Sequence, residues 1–181
     1  GGKAHAFGVD AREEEQVIQL VETIQTEIGP IEVAVFNIGA NVSFPIVDTT
    51  SQVYRKVWEM ACFAGFLMGR EVAKKMMQRG NGTIIYTGAT ASLRGSSTFS
   101  AFTSAKFALR ALAQSMAREL GPKNIHVAHV IVDGMIDSNF IRENLPDVDQ
   151  YREEDALLSP AEIAQNYVWL HHQSRNAWTH E

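Results

Sequence analysis

Thr83-Ile84-Ile85-Tyr86-Thr87 is a short apolar, β-branched run, and Ile125-His126-Val127-Ala128-His129-Val130-Ile131-Val132 is a second. Between them lie a small-residue loop from Gly88 to Phe99 and a helical stretch from about Ser100 to Leu120, closed by Gly121-Pro122. A crossover of that length is no hairpin, so the two strands are expected to run parallel. The same alternation continues outward on both sides. Upstream, Ile31 to Asn37 is apolar on both faces, as a strand covered by helices would be. A long helix from about Ser51 to Gln78 joins it to the central unit and ends at Gly80-Asn81-Gly82. Further upstream, Ala4 to Val9 reads as a strand. Asp10 and Glu13 then read as a capping box for a helix with Val17, Leu20, Val21, Ile24 and Ile28 on one stripe, ended by Gly29-Pro30. Downstream, Ser159-Pro160-Ala161-Glu162 starts a helix with a cap and a first-position proline, running from Ile163 to His171. Strand and helix alternate throughout, which predicts a parallel sheet inside a three-layer α/β sandwich.

Composition narrows what such a domain does. The chain has 181 residues, 45% of them apolar and 20% charged, enough for one cored domain spanning 1–181 without repeat or linker. Its formal net charge of −5 has the wrong sign for a nucleic-acid surface or an anionic membrane face. No apolar run approaches the roughly 20 residues of a membrane span. The single cysteine, Cys62, has no internal disulfide partner, and no secretory signal is recognisable, so a cytoplasmic protein is expected. The chain opens on Gly1 without an initiating Met, and Trp178 to Glu181 reads as the opening of another strand. A piece of a longer protein is therefore expected.

In an open parallel sheet, ligands bind beyond the carboxyl ends of the strands. Those ends are Asp10, Asn37-Ile38-Gly39-Ala40, Thr87-Gly88-Ala89-Thr90 and Asp133-Gly134. Other features read more plainly. The Arg12-Glu13-Glu14-Glu15 run is a solvated first turn. A spacing of three sends His126 and His129 to opposite faces of a strand, so no metal site is expected. His171-His172 reads as a favourable helix end or an exposed pair, and Trp58 and Trp169 as packing residues.

The succession of motifs resembles the short-chain dehydrogenase/reductase family. It consists of Asp10 after a strand, Asn37-x-Gly39 after the next, Gly82-x-Ile84-Ile85 entering a third, and a lysine, Lys106, four residues after an aromatic. Ala111 to Leu120 and Asn124-Ile125-His126-Val127 with Asp133-Gly134 complete it. The resemblance covers nearly the whole chain. It implies a Rossmann-type, doubly wound sheet, here incomplete at both ends, that binds NAD or NADP. It also implies an oxidoreductase moving hydride to or from a carbonyl or alcohol, paired as a homodimer or homotetramer through the helices at Ser51 to Gln78 and Ser100 to Leu120. By position, Asp10 would contact the adenine, Asn37 and Gly39 the adenosine ribose, Lys106 the nicotinamide ribose, and Gly134 with Ser138 the pyrophosphate or carboxamide. The family's opening strand and glycine-rich turn are not among these residues, and the residues that set NAD or NADP preference would lie there. The segment from Asp137 to Leu158, with Phe140, Ile141, Leu145 and Tyr151, would cover a substrate pocket of unstated specificity.

The resemblance also exposes a departure. The family uses a tyrosine acid/base four residues before the lysine, a serine that orients the substrate oxygen and often an asparagine on the preceding helix. Here those positions hold Phe102, Ala89 and Ala61; only Lys106 remains. Losing a positioned acid costs about 10²–10⁴-fold, and losing one oxyanion donor about 10²–10³-fold. Thr90 and Ser92 in the serine loop, and Thr103 and Ser104 after Phe102, offer hydroxyls whose plainer role is loop or cap hydrogen bonding. Asp133, where the family usually has proline, is the foremost replacement, as a carboxyl kept protonated in an apolar pocket or, more plainly, as a turn aspartate. Two readings follow: an oxidoreductase with non-standard acid/base groups, or a dinucleotide-binding pseudo-enzyme that senses or scaffolds.

Overall fold

The computed structural model of the chain describes residues 2–181. Three strands, β1 (Val33–Phe36), β2 (Gly82–Ala89) and β3 (Ile125–Val132), form one parallel sheet in the order β1-β2-β3. Register pairs Val33 with Thr83 and Ala89 with Val132, so the carboxyl ends of β2 and β3 finish level. Alternation divides the sheet residues between two layers. Ala34, Phe36, Ile84, Tyr86, Ile125 and Val127 face α1 (Glu14–Thr23), α3 (Ala64–Arg79) and α4 (Ser100–Leu120). Ile85 and Ala128 face α7 (Pro160–His172) through Leu170, flanked by Val33, Val130 and Tyr167. Each large apolar side chain so buried stabilises the fold by roughly 1.5–3 kcal/mol. Exposed ion pairs contribute about 0–1 kcal/mol. Buried Val17 and Val21, rather than the Glu14–Arg70 and Glu22–Lys75 pairs beside them, therefore hold α1 in place.

Several sequence expectations need correcting. Ala4 to Val9 is not a strand and pairs with none of the three, because no chain among the described residues forms a ladder with it. The anticipated capping box does not form. Asp10 accepts from the backbone N–H of Arg12 at 3.0 Å, Gln16 Oε1 accepts from Asp10 N–H at 3.0 Å, and α1 starts after Glu13. The helix from Ser51 is interrupted. α2 (Ser51–Trp58) and α3 are joined by a π turn at Glu59–Phe63, and α3 ends at Gly80, whose φ of +80° favours glycine. Trp58 and Trp169, expected to pack, are 40% and 60% exposed. His171 is tied by its Nδ1 to Thr83 Oγ1 at 3.0 Å rather than lying free. Residues 178–181 are not a strand, yet they run against β3: His129 N–H donates to His180 O at 2.7 Å.

As expected, His126 and His129 point to opposite faces. His126 stacks on Trp178 with centroids 4.8 Å apart, and His129 meets Glu181 at 2.9 Å. After β3, the short helices α5 (Asn139–Asn144) and α6 (Val148–Glu153) lie in the segment from Asp137 to Leu158, anchored where Asp137 N–H donates to Leu158 O at 2.9 Å. Phe140 is 70% exposed, so that ring closes no pocket here.

Candidate active site

β2 ends at Ala89, and the loop that follows leads into α4. Lys106, near the start of α4, is buried, and its Nζ donates to Thr87 O at 2.9 Å. A lysine ammonium carries three N–H donors, and the chain gives this one a single acceptor. Burial pulls its pKa down to about 8. One turn back, the Phe102 ring lies 5.8 Å from Nζ, centroid to nitrogen.

Phe102, Ala61 and Ala89 meet. Phe102 and Ala61 belong to one buried apolar cluster with Val57, and Ala89 packs against it. Ala61 lies within the π turn, a distortion often found at functional sites. Nothing in the sequence pattern marks that turn, since its residues continue an ordinary helical stripe.

Beside this patch, Thr90 Oγ1 donates to Asp133 Oδ1, joining the loops after β2 and β3. Asp133 is exposed, so the apolar surroundings invoked for a protonated carboxyl are not present. Among the other hydroxyls, Ser92 Oγ accepts from Ala89 N–H at 3.1 Å and Ser104 Oγ donates to Ser100 O at 2.9 Å, both the plain local role. Thr103 Oγ1 is buried without a partner among the described residues. The phenol of Tyr167 bonds Thr87 Oγ1 at 2.7 Å, but on the α7 face of the sheet, across the strand from Phe102.

The remaining candidates spread along the same end of the sheet. Asp10 borders a cavity of about 520 Å³ with Arg12, Ile38, Lys56 and Met60. Hydrogen bonds from Arg12, including Nε at 2.9 Å, bring its carboxyl down to about 2. This partner two residues away went unnoticed in the sequence. Asn37 is exposed at a cavity of about 400 Å³ that it shares with Thr87, Ile163 and Tyr167, and Gly39 is exposed nearby. Gly134 is exposed too, although a methyl there would sit 3.0 Å from Leu158 Cδ1. Ser138 caps α5, accepting from Ile141 N–H at 3.4 Å, so its hydroxyl already has a structural partner. Lys106, Phe102, Ala89, Thr90 and Asp133 are thus gathered at the ends of β2 and β3, while Asp10 and Asn37 line separate cavities.

A further clasp was not foreseen. Thr98 has φ of +68°, a region that costs a β-branched residue on the order of 1 kcal/mol. Phe44 N–H donates to Thr98 O at 2.8 Å and Ser43 Oγ meets Thr98 Oγ1 at 2.6 Å, so the loop after β1 is pinned to the loop before α4. Among the described residues, no three His, Cys, Asp or Glu side chains group as a metal site would.

The family model for short chain dehydrogenase matches residues 1–149. The human dehydrogenase/reductase SDR family member 4 is 33% identical over 125 residues, which is 68% of this chain and 45% of that protein. A crystal structure of a short-chain dehydrogenase from Rhodopseudomonas palustris superposes with a TM-score of 0.78 at 51% identity, over 94% of this chain and 69% of that one. A gluconate 5-dehydrogenase from Burkholderia cenocepacia, in complex with NADP and tartrate, shares the fold at a TM-score of 0.80 with 19% identity, over 90% of this chain and 66% of that one. The chain spans about half the length of the curated relatives it matches.

Proposed function

Since the chain belongs to the short-chain dehydrogenase family, we propose that it binds NAD or NADP and acts as an oxidoreductase whose acid/base groups are not the usual tyrosine and serine. The observation that carries this reading is Lys106. It is buried at the end of β2, with one backbone acceptor for three N–H donors, so two donors are left for a ligand with vicinal hydroxyls such as a ribose. The cavity at Asp10 and Ile38 has room for an adenine, and exposed Gly39 and Gly134 leave the backbone approachable by a flat ligand. These residues fit a dinucleotide. When bound, that group would supply or accept the hydride. Lys106 would hold the ribose, the apolar patch of Phe102 and Ala61 would exclude water, and Thr90 with Asp133 would contact the substrate.

A second reading, a dinucleotide-binding protein without redox turnover, is favoured by one observation. Phe102 and Ala61 are packed together with Ala89, so this patch holds no hydroxyl to protonate or orient a ketone oxygen. The two readings separate by calorimetric titration of the full-length protein with NADH and NADPH, alongside a screen for cofactor oxidation against a carbonyl panel. Binding with turnover is expected, and binding without it would leave the sensor or scaffold. Lys106→Ala is expected to weaken dinucleotide affinity about tenfold, the loss of one or two hydrogen bonds to a charged group. Unchanged affinity would remove Lys106 from the site.

A further inference from the structure

Three imidazoles hold residues 178–181 along β3. The His126 ring stacks on the Trp178 indole with planes 2° from parallel, and its Nε2 donates to Thr179 O at 2.8 Å. His129 Nδ1 donates to Glu181 Oε2 at 2.9 Å, and Arg110 of α4 grips the same carboxylate, its Nε at 2.6 Å. His180 Nδ1 donates to Val127 O at 3.1 Å. Carbonyl and carboxylate oxygens only accept, so each of these nitrogens carries the one proton of a neutral ring. The opposite nitrogens, His126 Nδ1, His129 Nε2 and His180 Nε2, are buried without a hydrogen-bond partner among the described residues. His129 Nε2 abuts Gly88, where a methyl would collide with it and lie 2.9 Å from Ser92 Oγ.

We propose that His126 and His129 make residues 178–181 an acid-released latch, closed while both rings are neutral and opened when they take a second proton. That proton would place a charged N–H in a buried spot where no hydrogen bond receives it. Burial is the largest influence on both rings and holds their pKa values below the ordinary histidine value. For His126 the Thr179 and Leu170 carbonyls oppose this, while His180 and His171 of α7 add to it. For His129 the Glu181 carboxylate opposes it, while Arg110 and His180 add to it. A released ring takes its proton in water near about 6.5. The latch is therefore fully favoured above about pH 6.5 and weakens as pH falls below that, towards the depressed values of the docked rings. Withdrawing His129 also removes the wall behind Gly88, so release reaches the turn that carries Ala89 and Thr90.

The test is hydrogen exchange of the full-length protein by mass spectrometry at about pH 7 and about pH 5.5, corrected for intrinsic exchange rates. At the lower pH, exchange over 88–94, 125–132 and 174–181 is expected to quicken by up to about tenfold for each histidine, the factor set by one pH unit below the free-ring value. α3 is expected to stay unchanged. The double variant His126→Phe, His129→Asn keeps a ring for Trp178 and an N–H for Glu181 but removes both titrations, and its exchange over these segments is expected to be the same at both pH values. No quickening in the parent, a quickening shared by α3, or an equal quickening in the double variant would overturn the latch. Should the double variant leave residues 178–181 loose at both pH values, the ring-proton NMR titration of the parent decides. Inflections below about 6.5 for both histidines support the latch, and inflections at or above it overturn the proposal.

Discussion

Phe102 and Lys106 are one helical turn apart, and their pairing concentrates the chemical question at the scale of the residue. A phenol at that position would share the neighbourhood of a buried amine, and the ammonium would favour its ionised form. A benzyl ring offers only its face. Restoring the two hydroxyls in Phe102→Tyr, Ala89→Ser is therefore expected to raise ketone reduction by about 10²-fold or more, read as cofactor oxidation with cyclic ketones. A folded, dinucleotide-binding double variant with no gain would show that the pocket around Ala61 has no room for a ketone. Lys106 also carries a stability signature. Its pKa falls from 10.5 in the unfolded chain to about 8 in the fold because of burial, so the unfolded state binds the extra proton between those values and stability rises with pH across that window. Below about 8 both states are protonated and the full penalty of the buried charge applies. Lys106→Met is expected to be more stable than the parent at pH 7, by about 3 kcal/mol at most, and the gap should narrow as pH rises from 8 towards 10.5. Urea midpoints at pH 7 and pH 10 measure it, and a gap that does not narrow contradicts the burial argument.

Elements meet most tightly where α3 and α4 pass over β2. A methyl on Gly69 of α3 would lie 1.9 Å from Tyr86 Oη and 3.0 Å from Met116 Cε of α4. The fully buried Tyr86 hydroxyl donates to Gly65 O at 3.2 Å, so it cannot swing aside without loss. Gly69→Ala is expected to destabilise by about 1–3 kcal/mol through overpacking, and Tyr86→Phe in the same chain should recover part of that loss. Additive losses in the double variant would mean the close approach is relieved elsewhere. This contact also marks what sequence can and cannot disclose. Strand and helix identities were legible because Ile84, Ile85 and Val127 sit in short apolar runs, and because Gly80, in the left-handed region, and Ser159, a side-chain cap, punctuate helices where backbone chemistry favours them. Phe102 is read from its spacing to Lys106, and Ala89 from an ungapped match of the preceding loop. Their meeting with Ala61, the Thr90–Asp133 bond and the Arg12 grip on Asp10 depend on how the loops pack, and no local pattern encodes that. Ala4 to Val9 failed as a strand for a related reason: a short apolar run records a preference, while a strand also needs a neighbour to bond.

Across the whole molecule, Tyr54, Trp58, Phe66 and Phe107 are each at least 37% exposed on α2, α3 and α4. Trp58, Phe63 and Phe66 stack in sequence, with centroids 5.8 and 6.0 Å apart, and Arg70 caps the series 5.2 Å above Phe66. We propose this surface as the seat of a homodimer or homotetramer, as the family resemblance implies. Sedimentation of the full-length protein at micromolar concentration is expected to give an oligomer, and Trp58→Asp to dissociate it; a monomer in both cases would contradict the assignment. The π turn between α2 and α3 shapes this surface. One surplus residue in a helix shifts everything beyond it by about 100°, and that offset carries Phe66 round into line with Tyr54 and Trp58. Deleting a single codon within Glu59–Phe63 would straighten the rod and rotate its two halves out of phase, turning the outer rings away from one another while withdrawing Val57 from beside Phe102. The outer aromatic row and the apolar lining around Phe102 are geared together through one supernumerary residue, so a minimal indel there resets both at once, which no point exchange along the stripe can do.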